Sequence, residues 1–258
     1  MLNTKTLLTH FGKDFPKRLA EKYHDYVGLM VGPLPTSIQK VVVTLDLEYM
    51  HQATLETLKP DLVITHHPFI YGPKGAVLRR DERKRHYVTW LQAHGIAVYS
   101  LHTNFDEGRG GMNDALASAL NLQNIQPLLG DPMARGGQLH QPMAMEAFVD
   151  YVRQQLHLPY SWYLAEGASL IHKVALVGGG GSRSYAIAQQ EGYDCFLSGD
   201  APHHVRRSIV NDHYNYVELA HEIEEIFLPV MKNYLLRLDP QLTVLTPFQQ
   251  ALPRLSHE

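Results

Sequence analysis

Short apolar runs alternate along the chain with longer stretches in which apolar positions recur every three or four residues. The first run, Val41-Val42-Val43-Thr44-Leu45, is rich in β-branched residues and marks a buried strand. The spacing then predicts a helix over 48–58, a strand over 62–65, a helix over 81–94 and a strand over 96–100. One more helix is expected over 112–120, and the Gln, Pro and Gly of 123–137 give that stretch the composition of a linker, where a first domain ends. Beyond it the rhythm resumes with a helix over 144–157, a strand over 173–177 and a glycine loop at 178–181 that opens a helix over 182–191. Strands over 194–198 and 214–219 follow, then a helix over 221–238 that Pro229 kinks or divides, and a short strand over 243–246. Such alternation predicts an α/β fold of layered helices and mostly parallel strands.

At 258 residues the chain has room for one large domain or two small ones, and 45% hydrophobic against 19% charged residues gives it a core to bury. Lys and Arg number 23 against 26 Asp and Glu, and no basic run exceeds Arg83-Lys84-Arg85. A binder of phosphate backbone needs a basic face, so nucleic acid is not the expected partner. A single cysteine, Cys195, excludes an internal disulfide framework and a cysteine-cluster zinc site, and its apolar strand predicts a core position. Met1 to Pro16 lacks the apolar core of a signal peptide, and no run approaches the roughly 18 apolar residues of a membrane span. A cytoplasmic protein without membrane contact is expected. Sixteen histidines, many in short clusters, direct attention to metal or proton chemistry.

Three clusters stand at element ends. Thr65-His66-His67-Pro68 follows a strand, where an α/β fold places its ligand crevice, beyond the carboxyl ends of the strands. Consecutive strand residues point to opposite faces, so both imidazoles reach one centre only if the strand has ended or each serves a different ion; Pro68 favours the ending. His102-Thr103-Asn104-Phe105-Asp106 follows the next strand, and Asp106 offers a hard oxygen ligand. His221-Glu222-Ile223-Glu224-Glu225 opens the last helix, where a four-residue spacing sets His221 and Glu225 on one face and leaves Glu222 and Glu224 to the favourable field of the helix start. Taken singly, each has a plain alternative: a capped strand, an Asx-type turn, a solvated acidic turn. Taken together, His66, His67, Asp106, His221 and Glu225 are five ligands, where one catalytic zinc typically takes three and water. Five fit two ions, zinc, iron or manganese, with Glu225 and Asp106 as candidate bridges. Such a pair generates hydroxide near neutral pH and polarises the bond under attack. His102, four residues from Asp106, is the candidate catalytic acid or base.

These motifs resemble the Nif-three-like family of dinuclear metal-centre proteins, also known as GTP cyclohydrolase 1 type 2 homologues. The resemblance runs from Asp25-Tyr26-Val27-Gly28-Leu29 and Asp46 through the two histidine clusters and Gly111-Met112-Asn113-Asp114. It continues to Gly178–Gly181, Ser198-Gly199-Asp200 with His203-His204, and His221 with Glu225. It implies metal ligation by the same five residues, two related α/β halves with the metals in the cleft between them, and a toroidal homohexamer. The first half is drawn as 1–125 with 213–258, the second as 126–212. Tyr26 stands where the family usually has Asn, Ala220 where it has Gly, and Ser198-Gly199-Asp200 where it has a Thr-Gly-Glu-like triplet; no ligand is lost.

The expected function is that of a divalent-metal hydrolase acting on a nucleotide or other phosphorylated heterocycle, with ring-opening of GTP implied by the resemblance alone. The alternative is a metal-binding scaffold or regulator without turnover. Gly178–Gly181 can cradle a phosphate or simply turn tightly; it lacks the lysine of a Walker A loop. His203 and His204 can line a site or sit on the surface at a helix start.

Overall fold

Lys40–Thr44, Leu62–Thr65 and Ala97–Ser100 carry almost nothing but buried residues, because strands in the middle of a parallel sheet are covered on both faces. In the computed structural model, which describes residues 1–250, the chain divides into two units. Residues 251–258, expected in the first half, lie outside the described residues.

The first unit comprises Met1–Gly111 and Phe227–Gln250. Its strands are β1 (Leu2–Asn3), β2 (Gly28–Val31), β3 (Ser37–Ile38), β4 (Lys40–Thr44), β5 (Leu62–Thr65), β6 (Ala97–Ser100) and β13 (Thr243–Leu245). Five form a sheet in the order β13-β4-β5-β6-β2, parallel except for β2, while β1 and β3 pair separately. The helices Gln52–Leu58 and Glu82–Ala93 cover one face: Leu55, Tyr87, Val88 and Leu91 pack with Val42, Val63 and Val98. Thr44, Thr65 and Ser100 stand level at the carboxyl ends of β4, β5 and β6. Their buried hydroxyls tie down the turns that leave these strands. Thr44 Oγ1 donates to the Asp46 carbonyl and Thr65 Oγ1 to the His67 carbonyl, both at 2.8 Å, and Thr65 Oγ1 meets Ser100 Oγ at 2.7 Å.

The second unit runs from Met112 to Ile226. Its strands β7 (Gln123–Pro127), β8 (Arg135–Ala144), β9 (Trp162–Ala165), β10 (Leu170–Leu176), β11 (Cys195–Gly199) and β12 (Asn215–Leu219) form one sheet in the order β7-β8-β10-β11-β12-β9. Its middle strands β10, β11 and β12 pair in parallel, while β8 runs antiparallel to both β7 and β10 and β9 runs antiparallel to β12. Here the expected linker is corrected: 123–137 supplies β7 and the start of β8. The outer strand β7 has one neighbour and is mostly exposed, so its polar residues and Pro127 are at home on a sheet edge. Gly136 serves packing, since a Cβ there would sit 2.0 Å from the Tyr193 hydroxyl. The units also divide elsewhere than expected. Residues 112–125 and 213–226 belong with the second unit, because β12 is the sheet partner of β11 and the helix Met112–Ala119 carries Asn113, whose Oδ1 accepts from the Gly178 amide at 2.6 Å.

The segment expected as one helix over 221–238 is two, a 3₁₀ stretch His221–Ile226 and an α-helix Phe227–Leu238. Pro229 lies in the first turn of the latter, where backbone N–H groups have no partner within the helix. No helix among the described residues is long and apolar enough to cross a membrane.

Candidate metal centre

Because β4, β5 and β6 end level, the residues just beyond them gather in the first unit. The chain turns at once after Thr65: the His66 amide donates to the Thr44 and Leu45 carbonyls at 3.1 Å, and the His67 amide to Leu45 at 3.0 Å. With the strand ended, the two rings no longer alternate, and their centroids lie 5.1 Å apart. His102, after β6, stands 5.1 Å from His66 and 5.6 Å from His67 in the same measure. One ring nitrogen from each of the three lies within 4.8 Å of the others.

Each ring is held through Nδ1. His66 Nδ1 is 2.9 Å from the Leu101 carbonyl, which can only accept, so Nδ1 carries the proton and Nε2 the lone pair. His67 Nδ1 lies 3.0 Å from both oxygens of Asp46, and His102 Nδ1 lies 2.7 Å from Asp25 Oδ2. A carboxylate or carbonyl behind an imidazole fixes its tautomer and raises its basicity toward a metal. Asp25 reaches His102 because β2 runs antiparallel to β6, setting Gly28 opposite Ser100. Burial pushes the Asp25 carboxyl upward, but the hydrogen bond and charge of His102, with bonds from Thr103 and the Tyr26 amide, outweigh it and hold it far below its usual range. Asp46 is lowered likewise, burial being overcome chiefly by His67.

Asp106, buried in the helix Thr103–Glu107, brings Oδ1 to 3.5 Å from His66 Nε2. That is long for a hydrogen bond and matches the roughly 3.4 Å between two ligands of one tetrahedral ion with bonds near 2.1 Å. Nitrogen and carboxylate oxygen are the donors that zinc, iron and manganese accept. The residues present therefore fit a metal ion.

In the second unit, Leu176 pairs with Leu197 and Gly199 with Leu219, so Gly178–Gly181, Asp200 and His221 follow the carboxyl ends of β10, β11 and β12. His221 Nδ1 lies 2.5 Å from Asp200 Oδ2, and Nε2 lies 3.0 Å from Glu224 Oε2. The Glu224 hydrogen bond above all, opposed by burial and reinforced by the charges of Glu224 and Asp200, raises His221 to about 9. The field around this ring asks for a cation. A 3₁₀ helix eclipses residues three apart, so it is Glu224 that faces His221, contrary to the expectation that it points elsewhere. Glu225 is half-buried one residue on. Gly179, at φ +62°, leaves space that Glu224 uses: a Cβ there would fall 2.2 Å from Glu224 Oε1. This accounts for the loop as a tight turn. His203 and His204 are exposed at the start of the helix His203–Asn211. Cys195 is buried, as expected.

The three aspartates behind the imidazoles were assigned no role from the sequence. Asp46 and Asp200 each fall just beyond a predicted strand, a position that signals a site residue in parallel α/β sheets; Asp25 has no such local signal, since its partner is 77 residues away.

A family model described as Duf34/NIF3 (NGG1p interacting factor 3) matches residues 2–250. Among curated relatives, a GTP cyclohydrolase 1 type 2 homolog of Lactococcus lactis is 28% identical over 90% of this chain and 91% of its own length. One of Methanocaldococcus jannaschii is 30% identical over 82% and 85%. Among solved structures, a Bacillus cereus protein related to NIF3 superposes with a TM-score of 0.84 at 19% identity, covering 98% of both chains. Reduced HcgD from Methanocaldococcus jannaschii gives 0.76 at 26% identity, over 95% of this chain and 97% of that one.

Proposed function

This chain belongs to the Duf34/NIF3 (NGG1p interacting factor 3) family, and we propose that it is a two-metal hydrolase acting on a nucleotide or other phosphorylated heterocycle. The observation that carries the reading is the common tethering of the imidazoles: His66, His67, His102 and His221 are each held at Nδ1 by an oxygen acceptor. For His66 and His67 this turns Nε2 outward as a ligand atom, and for His102 it turns Nε2 outward as a proton acceptor; at His221, Nε2 now meets Glu224, whose place an ion can take. His66, His67, Asp106, His221 and Glu225 are the proposed ligands of two divalent ions. Bound there, the ions supply a water of lowered pKa and polarise the bond under attack. The chain's own residues do the rest. Asp46 and Asp200 keep His67 and His221 in the ligating tautomer. Asp25, charged and fixed by Thr103, holds the proton of His102 on Nδ1, so that His102 Nε2 is the base that takes a proton from the reacting group and returns it to the leaving group.

GTP, named in the relatives, is the first substrate to try. A cytoplasmic homohexamer belongs to the same proposal, and light scattering of the purified protein tests the ring. The metal claim is tested by elemental mass spectrometry on protein purified without chelator, beside His66→Ala. About two ions per protomer, and fewer in the variant, are expected. No bound ion after reconstitution with zinc, iron and manganese overturns the reading. With ions bound but no formate released from GTP, the cyclohydrolase version alone is lost.

A further inference from the structure

Beside His221, the second unit holds a cavity of about 200 Å³ walled by Tyr160, Trp162, Asp200, Glu218 and Glu222. Trp162 stands on the edge strand β9 and is 61% exposed, whereas the other tryptophan, Trp90, packs against the core of the first unit. A large ring left open on a cavity wall costs apolar exposure that a ligand would relieve. The ring is backed by Arg206, whose guanidinium carbon is 5.5 Å from its centroid. Arg206 is fixed in turn by hydrogen bonds of 2.6 and 2.5 Å to Glu218. Of the three carboxylates in the walls, Glu218 is therefore spent on Arg206 and Asp200 on His221 Nδ1. Glu222 is half-buried and makes no hydrogen bond or ion pair among the described residues.

An open aromatic plate and an uncommitted carboxylate select a planar ring that carries N–H donors. The plate takes the π-face, as aromatic side chains stack bases in other proteins; the carboxylate takes the N–H groups in charge-assisted hydrogen bonds. Phosphate does not suit these walls, because their uncommitted charge is negative. The volume has room for a ring rather than a whole nucleotide. We propose that this cavity binds the heterocycle of the substrate, stacked on Trp162 and hydrogen-bonded to Glu222. The inference names a substrate class for the hydrolase reading and rests on it only for the claim that the bound ring is turned over.

Guanosine is the probe, because its ring N–H and exocyclic amino group lie side by side and can both meet one carboxylate. Titrated into the parent protein, it is expected to quench tryptophan fluorescence, and Trp162→Phe to abolish the change. Glu222→Gln in the protein, or 1-methylguanosine in place of guanosine, removes a hydrogen bond to charge and weakens binding about tenfold. Ribose 5-phosphate is expected to give no change. The proposal is overturned by an absent response to guanosine, by a response that survives in Trp162→Phe, or by equal affinity for guanosine and 1-methylguanosine. That last comparison uses the parent protein and stands even if a variant fails to fold. Metal content is measured on the same samples: guanosine binding by protein that takes up no ion supports the cavity and sinks the hydrolase reading, whereas metal-loaded protein that ignores guanosine sinks the cavity and leaves the metal centre.

Discussion

Replacing Asp46 by Asn separates a residue that tunes a metal ligand from one that holds the fold. Asp46 sets both oxygens 3.0 Å from His67 Nδ1, and its side chain is 36% exposed. An ion pair so open to water contributes no more than about 1 kcal/mol to the metal-free protein. Its effect on metal is larger. Asn keeps the shape but offers an amide that can donate to Nδ1 or accept from it, so the imidazole loses its fixed tautomer and the electron density that the carboxylate lends Nε2. Loss of such a partner typically costs 10–100-fold in metal affinity, about 1.4–2.7 kcal/mol. The expected result is a dissociation constant raised by that factor in competition with a chromophoric chelator, while urea denaturation of the metal-free protein moves by about 1 kcal/mol or less. Unchanged metal affinity would refute the argument. So would a loss of affinity accompanied by several kcal/mol of destabilisation, since Asp46 would then be holding the loop rather than the ligand.

Glu225→Ala separates catalysis from scaffolding: a catalytic centre predicts lost turnover with an unchanged melting temperature, and a lowered melting temperature or a broken oligomer would favour a structural one. Gly111→Ala places a Cβ 1.8 Å from the Phe105 carbonyl oxygen. Backbone must move, so a loss of about 3 kcal/mol or more is expected in urea denaturation, and a loss under about 1 kcal/mol would show that the turn yields freely. Alkali should unfold the protein through its buried phenols. Burial pushes up Tyr214 and Tyr216, and burial with the Asp212 hydrogen bond pushes Tyr185 up to about 12. A raised folded pKa favours the neutral phenol, so this stability is fully present below about pH 10, the ordinary tyrosine value, and is lost as pH rises toward 12. Tyrosinate absorbance from these residues should therefore appear together with loss of circular dichroism, and its appearance in the still-folded protein would contradict the assignment.

The parallel strands were legible in the sequence because burial on both faces leaves them apolar throughout, so a run such as Val41-Val42-Val43 has few other homes. Strands at the sheet margins were not. β2 is four residues beside a single neighbour, and β7 carries the Gln and Pro that an exposed edge tolerates; with the packed glycines at the buried start of β8, a composition count reads the stretch as linker. The histidine clusters were found because adjacent histidines leave a local pattern. Their carboxylate partners come from other strands, and only the register of the finished sheet brings them together. At His221 the expected spacing assumed 3.6 residues per turn, and a period of three substitutes Glu224 for Glu225 as the carboxylate facing the ring.

One construction recurs in both units. In the first, Asp46 follows β4 and holds His67, which follows the next strand in the sheet, β5. In the second, Asp200 follows β11 and holds His221, which follows its sheet neighbour β12. The separation is 21 residues in each case, the length of one pass from strand through helix to adjacent parallel strand. A parallel sheet makes the arrangement geometrically cheap. Successive crossovers return every strand in the same direction, all carboxyl ends finish on one edge, and an acid placed just beyond one strand lies beside a base placed just beyond the next. The imidazole is then oriented by a residue that the sheet itself has positioned, before any ion arrives. Preorganisation of this kind explains why Asp46 and Asp200 sit just beyond buried parallel strands, and why the histidines could be read as clusters while the residues that aim them could not.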